Sequence, residues 1–451
     1  MSAKWRSLCS RSNLNLAYTL RNGQSFCWRL NRESEFSSVL DGKVISLREH
    51  GDSVEYFVHK PISDEPMNTL SANDTAVLTL PADGKKRPRE VTGNEQVLPI
   101  ANVKRKKEKR IEVTEGEGEE DEVDDSTLQI LRSYFQLGGL SASDRSTNVN
   151  PTEEDILSRL YKEWAKADDR MRIIVEALPG MRILRQPPVE CLFSFICSSN
   201  NNISRITQML EKLRQRYGTK INVNDAPSST ISSPTSSSLS ESSQTISTFY
   251  SFPTVEALSA ASEEELRGLG LGYRAKFVRA TAIALSSKGG EDFLISLRSK
   301  PRKEVQAALL EFVGVGMKVA DCVALFSLDQ SDCIPVDTHV WNIACCYFDR
   351  TLVNHKSLTP TVYEKVGDIF RTRYGASHAG WAHSLLFAAE LPSFRSKLPS
   401  GMQSEMTQFK DDEKARKADA TAEKKKRKKL QEVGKEVDEQ EVVEKEELSK
   451  V

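Results

Sequence analysis

Glu311-Phe-Val-Gly-Val-Gly-Met-Lys-Val-Ala-Asp321, with Ile334-Pro-Val-Asp-Thr-His339 shortly after it, is the stretch on which the reading of this chain turns. Just upstream, Val305, Ala308, Leu309 and Phe312 recur at i, i+3, i+4 and i+7, which gives a helix with one apolar face. Gly314 and Gly316 permit a tight reversal that bulkier residues resist. Met317 to Leu328 then reads as a second helix, with Val319, Cys322, Val323 and Phe326 on its buried side. The unit over 303–328 is thus a helix, a glycine hairpin and a helix. Its hairpin amides and the positive end of its second helix point outward together, an arrangement that suits a phosphate. A turn that merely packs two helices has the same local pattern.

Lys318 shifts the balance toward chemistry. At a helix start a cation opposes the macrodipole, at a cost of roughly 0.3–1 kcal/mol. The same field, in a partly desolvated pocket, favours the neutral amine needed to attack an electrophilic carbon. Cys322 is one turn on and lines the space that Lys318 reaches; an ordinary surface lysine is the plain alternative. Asp337, after Ile334-Pro335-Val336, is placed to cap a helix running from Thr338 to Phe348, a role worth about 1 kcal/mol and sufficient to explain it. Capping and catalysis are compatible, because a capping carboxylate is held rigidly.

Around this unit the chain divides by composition. Its 451 residues carry 63 basic and 64 acidic side chains, so the net charge is near zero, but the charge is segregated. Lys85-Lys-Arg-Pro-Arg89, Lys104 to Arg110 and Lys424 to Lys429 are basic, and Glu115 to Asp125 is almost wholly acidic. Such runs have nothing to bury and read as solvated spacers, the basic ones serving equally as nuclear-import signals. Residues 1–81 hold short β-type runs: Ser25 to Trp28, Lys43 to Leu47, Ser53 to Val58 and Thr75 to Leu80. Asn22-Gly23 and Asp41-Gly42 break them, so a small antiparallel sheet is expected. Residues 82–126 form a charged insert, and 127–398 read as helical, with Asp155 to Lys166 and Met171 to Leu178 each spaced for one buried face. A Ser/Thr-rich loop over 226–248 interrupts them. Pro392 stops the last helix near Glu390. The Lys/Glu-rich tail 399–451 shows almost no apolar stripe and is expected not to pack. The fold class is therefore α+β, a sheet domain followed by helical lobes.

The eight cysteines sit mostly in apolar runs without zinc-like pairing, which fits reduced thiols in an intracellular protein. No hydrophobic stretch is long enough to span a bilayer, so no membrane partner is expected. The basic N-terminus has no acidic residue before Glu33. It reads either as strand or as a mitochondrial address beside a nuclear one.

The chain resembles the helix–hairpin–helix DNA glycosylases, and within them the eukaryotic 8-oxoguanine family. Asn22-Gly-Gln-Ser-Phe26, Leu192-Phe-Ser-Phe-Ile-Cys-Ser-Ser-Asn-Asn-Asn-Ile203, Leu269-Gly-Leu-Gly-Tyr-Arg274, Val315 to Cys322, Pro335 to His339 and Ala379-Gly-Trp381 carry the resemblance in order. No cysteine lies beyond Cys346, unlike the iron–sulfur branch, which carries four after its catalytic region. The resemblance implies a TBP-like N-terminal sheet, two α-helical lobes with a cleft between them, and a monomer acting on double-stranded DNA that contains oxidised guanine. It implies excision through a Lys318 Schiff base, braced by Asp337, and strand nicking on the 3′ side, with no cofactor and no metal.

It further implies a base pocket of Gly23, Cys322, Phe326, Pro335, His383 and Phe387, in which the Gly23 carbonyl reads the N–H that oxidation places at N7. Cys322 and Phe387 sandwich the base. Asn200 and Tyr273 fill and wedge the vacated stack, as intercalating side chains do, while Arg205 and Arg274 hold the orphaned cytosine. Gly314, Gly316 and His339 meet phosphate. Each has a plain alternative: a hairpin turn for Gly23, core packing for Phe387, helix caps for the asparagines, a solvated face for the arginines. Two departures stand out. The family usually has glutamine at His383, whose imidazole offers one acceptor and not a two-sided amide, so specificity is expected to shift or become pH-sensitive. Val313 stands where proline is common.

Overall fold

The sheet follows from its tight turns and, in its third strand, from strict alternation. In the computed structural model, strands β1 (Arg6–Ser10), β2 (Arg29–Leu30), β3 (Phe36–Leu40), β4 (Lys43–His50) and β5 (Ser53–Val58) form one antiparallel sheet in the order β1-β5-β4-β3-β2. Phe36, Ser38 and Leu40 of β3 face inward, with Phe36 opposite Leu47 in the register. Asp41-Gly42 joins β3 to β4 with both residues at positive φ (49° and 72°), the backbone of a two-residue hairpin whose twist matches its strands. The structure describes residues 4–31, 34–62, 119–138, 155–224, 246–355, 357–416, 418–419 and 421–423. The strand expected over 75–80, the basic runs at 85–89, 104–110 and 424–429, and most of the Ser/Thr loop lie outside them.

Helix α1 (Glu119–Tyr134) closes one face of the sheet. Leu131, Tyr134 and the following Phe135 are buried with Leu8, Ile45, Leu47 and Tyr56. The helix begins inside the stretch assigned to the charged insert, because once its apolar end is anchored the added turns extend an existing nucleus. Ser25 to Trp28 is not a strand. That segment is held by side chains instead, with Trp28 Nε1 donating to Tyr134 Oη at 3.0 Å.

The helical part has one large core. The helices that matter to the site are α2 (Pro188–Ser198), α3 (Ile203–Tyr217), α4 (Arg274–Ser287), α5 (Arg302–Leu310), α6 (Met317–Ser327), α7 (Thr338–Ile343), α8 (Pro360–Tyr374) and α9 (Ala379–Glu390). Val305, Leu309, Phe312, Val319, Cys322 and Val323 are buried, as the 3.6-residue spacing predicts. The helix after Asp337 is regular only to Ile343 and continues to Phe348 as a π-turn.

Two expectations are corrected. The Ser/Thr loop ends earlier than 248, because Ile246–Tyr250 is a strand (β7) paired antiparallel with Lys220–Asn224 (β6). Val223 and Phe249 bury against Val44 of the sheet domain, the result of a period-2 alternation in two short segments. The tail does pack at its start: residues 400–416 are helical (α10), with Met402 and Met406 buried in the helical core. Phe409 joins them at the next turn, and Lys410 pairs with Glu390 at 2.9 Å. The apolar stripe exists, but it is only three residues long and is masked by the charge around it.

Candidate active site

Lys318 occupies the first turn of α6 because Gly316 caps that helix and the hairpin reverses immediately before it. At Gly314 the backbone has φ +86°, and a Cβ there would come within 2.6 Å of the Phe277 ring. Glycine is therefore required twice over, by conformation and by contact. Gly316 lies open, and Val313 is 45 % exposed at the tip. The Val313 carbonyl accepts from Thr281 Oγ1 at 2.9 Å, which ties the hairpin to α4.

Asp337 caps α7 as its position predicts. One carboxylate oxygen, Oδ1, accepts from the N–H groups of His339 (2.8 Å) and Val340 (3.0 Å). Both bonds use the same oxygen, which leaves Oδ2 for another partner.

Lys318 and Asp337 both line an inner cavity of about 50 Å³, together with Asn22, Gly23, Gln24, Phe195, Cys322, Phe326, Pro335, His383, Ser384 and Phe387. All six residues expected to form the base pocket are in this wall. The cavity as it stands is narrower than a nucleobase, so a wall must move to admit one. Phe387 is half-buried and lines both this cavity and the outer cleft. Its ring meets His339 edge-on at 5.7 Å.

Phe195 is the pocket residue that pattern reading missed, although it sits inside the quoted Leu192 to Ile203 block. Its ring stacks on Phe326 (centroids 5.5 Å apart, planes at 21°), and the Lys318 amine stands 5.4 Å from its centroid. Burial pushes the Cys322 thiol up to about 11, an effect that Lys318, near enough to hydrogen-bond it, partly offsets. Cys322 is therefore a neutral wall and no nucleophile.

Gly23 is at φ +87°, and a Cβ there would sit 3.3 Å from Ile203 Cδ1. Its neighbours are clamped. Asn22 Oδ1 accepts from the Gln24 N–H at 3.1 Å, and Gln24 Nε2 donates to the carbonyls of Thr19 (2.8 Å) and Arg182 (2.9 Å). Such clamps hold a main-chain carbonyl still, and recognition by a carbonyl depends on that.

His383 is 3 % exposed, and burial pushes its imidazole down to about 4, against the opposing pull of Asp337. The expected pH-sensitivity is thus moved well below neutrality. The Ser384 hydroxyl donates to the Gly380 carbonyl at 2.8 Å and lies 3.5 Å from His383 Nδ1. The Gly380 and Pro335 backbones also act on the ring, and Nε2 is buried without a hydrogen-bond partner of good geometry among the described residues.

The outer cleft, about 2250 Å³, is lined by Gly23, Ser198, Asn200, Gly314, Gly316, Lys318, Asp337, His339 and Phe387, and on its far side by His355 and Arg416. Asn200 holds a positive φ of 47°, which asparagine tolerates better than most residues. Tyr273 is 46 % exposed and donates its hydroxyl to the Ser199 carbonyl at 3.1 Å. Arg205 is exposed in the first turn of α3. Arg274 is 2 % exposed and donates to the carbonyls of Ser199 (3.1 Å from Nε) and Asn200 (2.9 Å from Nη2), so it braces the Asn200 turn. Among the described residues no group of three His, Cys, Asp or Glu is arranged to hold a metal, and no helix is long and apolar enough to cross a membrane.

Comparison with known proteins bears on the family of the chain. Residues 6–192 match the model for the 8-oxoguanine DNA glycosylase N-terminal domain, and residues 193–361 match that for the HhH-GPD superfamily of base excision DNA repair proteins. The chain is 43 % identical over 249 residues to N-glycosylase/DNA lyase OGG1 of Arabidopsis thaliana, covering 55 % of this chain and 62 % of that protein. It is 36 % identical over 236 residues to the N-glycosylase/DNA lyase of Saccharomyces cerevisiae, covering 47 % and 57 %. The matches thus span about three-fifths of these relatives' length. The fold resembles that of the Clostridium acetobutylicum 8-oxoguanine glycosylase/lyase solved with dsDNA containing cytosine opposite 8-oxoG. The TM-score is 0.53 at 21 % identity, over 83 % of this chain and 91 % of that one. With residues 6–361 matched in succession by these two models, the chain belongs to the 8-oxoguanine DNA glycosylase family of HhH-GPD base excision repair proteins.

Proposed function

We propose that this chain is a bifunctional DNA glycosylase and β-lyase of base excision repair that removes oxidised guanine, 8-oxoguanine opposite cytosine being its preferred substrate. The observation that carries the reading is that Lys318 and Asp337 line both the outer cleft and the inner cavity. One amine and one carboxylate stand at the doorway between a duplex-sized groove and an aromatic-walled recess.

The nucleotide is turned out of the stack at a cost of a few kcal/mol, which brings its sugar to that doorway. The Lys318 amine, once it has given up its proton, bonds to C1′ as the bond from C1′ to the base breaks. The base leaves with the electron pair and takes up a proton. Ring opening with loss of an amine proton gives the Schiff base between C1′ and Nζ. Removal of a C2′ proton then expels the 3′ phosphate oxygen and nicks the strand. Asp337 is fixed by its two capping bonds, so its free oxygen can stabilise the oxocarbenium-like sugar without reorganising. Outside the pocket, Asn200 and Tyr273 fill the gap, Arg205 meets the orphaned cytosine, and Gly314, Gly316 and His339 border the phosphates. The protein works as a monomer in the nucleus.

A second reading, excision of a different oxidised or damaged base, is favoured by one observation. His383 Nε2 offers a single group where an amide would offer two. One imidazole nitrogen serves one group of a base edge, a donor or an acceptor according to its tautomer, so the edge it accepts differs from that of an amide. Borohydride trapping on duplexes carrying 8-oxoguanine or other oxidised and alkylated bases tests both readings. A covalent adduct that disappears in Lys318→Gln supports the mechanism, and the base that gives fastest trapping identifies the substrate. An absence of adduct on every duplex leaves a damage-binding scaffold.

A further inference from the structure

Asp321 is buried one turn beyond Lys318, and no step of the reaction uses it. It is 2 % exposed, so its carboxyl must find partners within the protein. Oδ1 accepts from Gln306 Nε2 of α5 at 2.9 Å, and Oδ2 lies 2.7 Å from Tyr363 Oη of α8. The Tyr363 hydroxyl also receives the Val336 N–H at 3.1 Å and lies 3.2 Å from the Ile334 carbonyl. A single oxygen therefore joins a carboxyl of the Lys318 helix to the two backbone groups that flank Pro335. Proline has no N–H, and Ile334 and Val336 are each 1 % exposed, so no water is at hand to replace those bonds. The next residue along is Asp337.

We propose that Asp321 and Tyr363 are a positioning pair, which sets the segment Ile334–Asp337 against the Lys318 helix and so aims the Asp337 carboxylate at the reacting sugar. The proposal rests on the glycosylase reading above.

Tyr363 has one proton and two acceptors to serve. While Asp321 is ionised, that proton goes to the carboxylate, and the Ile334 carbonyl is left out. When Asp321 is protonated, its own O–H donates to Tyr363 Oη, and the tyrosine proton is released to Ile334. The anchor is complete only in that second state. Burial pushes the Asp321 carboxyl up to about 6, against the hydrogen bonds of Tyr363 and Gln306 and the charge of Arg302. The charges acting on it are Arg302 of α5 and Glu364 of α8, and the neutral Cys333 thiol of the loop also hydrogen-bonds the carboxyl. Arg302 is itself tied to Asp332 (3.0 Å) and Glu364 (3.5 Å).

The test uses the full chain in single-turnover excision on the duplex that traps best, with affinity measured separately on a tetrahydrofuran abasic-analogue duplex. Tyr363→Phe is expected to lower the excision rate 10- to 100-fold and trapping in parallel, while the Kd for the analogue stays within threefold. A rate within twofold of the unaltered protein, or a Kd that worsens as much as the rate, overturns the proposal. Should Tyr363→Phe fail to fold, Asp321→Asn carries the test. Its amide donates permanently to Tyr363 Oη, so its rate relative to the unaltered protein should rise at least threefold between pH 5.5 and 7.5. A ratio that is flat over that range overturns the proposal. If the unaltered protein traps on no duplex, the glycosylase reading itself fails, and this inference with it. If it traps and Tyr363→Phe traps equally fast, only the inference fails.

Discussion

His383 and Phe387 stack one helical turn apart, their ring centroids separated by 6.5 Å and their planes by 26°. A fully buried imidazole is thus backed by a half-exposed phenyl ring. His383 and Phe387, on consecutive turns of α9, both line the inner cavity.

Replacing His383 by glutamine should raise the single-turnover rate on 8-oxoguanine about 3- to 10-fold. The amide supplies a second hydrogen bond where the imidazole supplies one, and such a bond is worth about 1 kcal/mol. Excision kinetics opposite cytosine check it. A complete loss of activity would give histidine a role other than reading the base edge.

The same residue sets an acid limit on stability. Its folded value is about 4 and its unfolded value about 6.5, so the unfolded chain binds the proton more readily. The stabilisation is complete above pH 6.5 and is lost as the pH falls toward 4, about 3 kcal/mol by linkage for a fully buried group. Urea unfolding at pH 7 and pH 4.5 should show a smaller acid loss in His383→Gln than in the unaltered protein. Equal losses would mean that the imidazole is not buried neutral.

Lys318→Gln should abolish base release and borohydride trapping together, while duplex affinity changes by less than about threefold. Residual trapping would move the nucleophile to another amine. Excision assays on product-resolved gels, with trapping beside them, distinguish the outcomes.

Gly314→Ala should destabilise the hairpin by roughly 1–3 kcal/mol, the usual cost of overpacking. The added methyl meets the Phe277 ring within 2.6 Å at a backbone angle of +86°. Thermal unfolding measures the cost. A matching loss of duplex affinity that is relieved in Phe277→Ala would identify this clash as its cause.

Met406→Ala tests whether α10 belongs to the fold. Met406 is 2 % exposed, and truncating a buried methionine costs about 2–5 kcal/mol in a core. A destabilisation near the lower end of that range is expected in urea titration. A change below about 0.5 kcal/mol would show the helix to be loosely held.

Much of the site was legible before folding because its parts are local. The cap at Asp337, the hairpin at Gly314 and Gly316, and the shared helical face of His383 and Phe387 each depend on neighbours within a few residues. What escaped was either sparse or distant. The β6–β7 hairpin is two five-residue strands separated by more than twenty residues, and α10 shows three apolar residues among charges. Only the folded chain brings the Ser199 and Asn200 carbonyls to the Arg274 guanidinium.

The sequence by itself determined the helix–hairpin–helix, the lysine at its helix start and the capping aspartate, since periodicity and backbone sterics act over a turn or two. Only the tertiary structure decided that Gly23, Phe195, Lys318, Asp337 and His383 share one wall. The same holds for the histidine being neutral and for Tyr363 joining Asp321 to the segment before Asp337. Those properties arise from burial and from hydrogen bonds between residues far apart in the chain, and no local pattern records which distant groups will exclude water from one another.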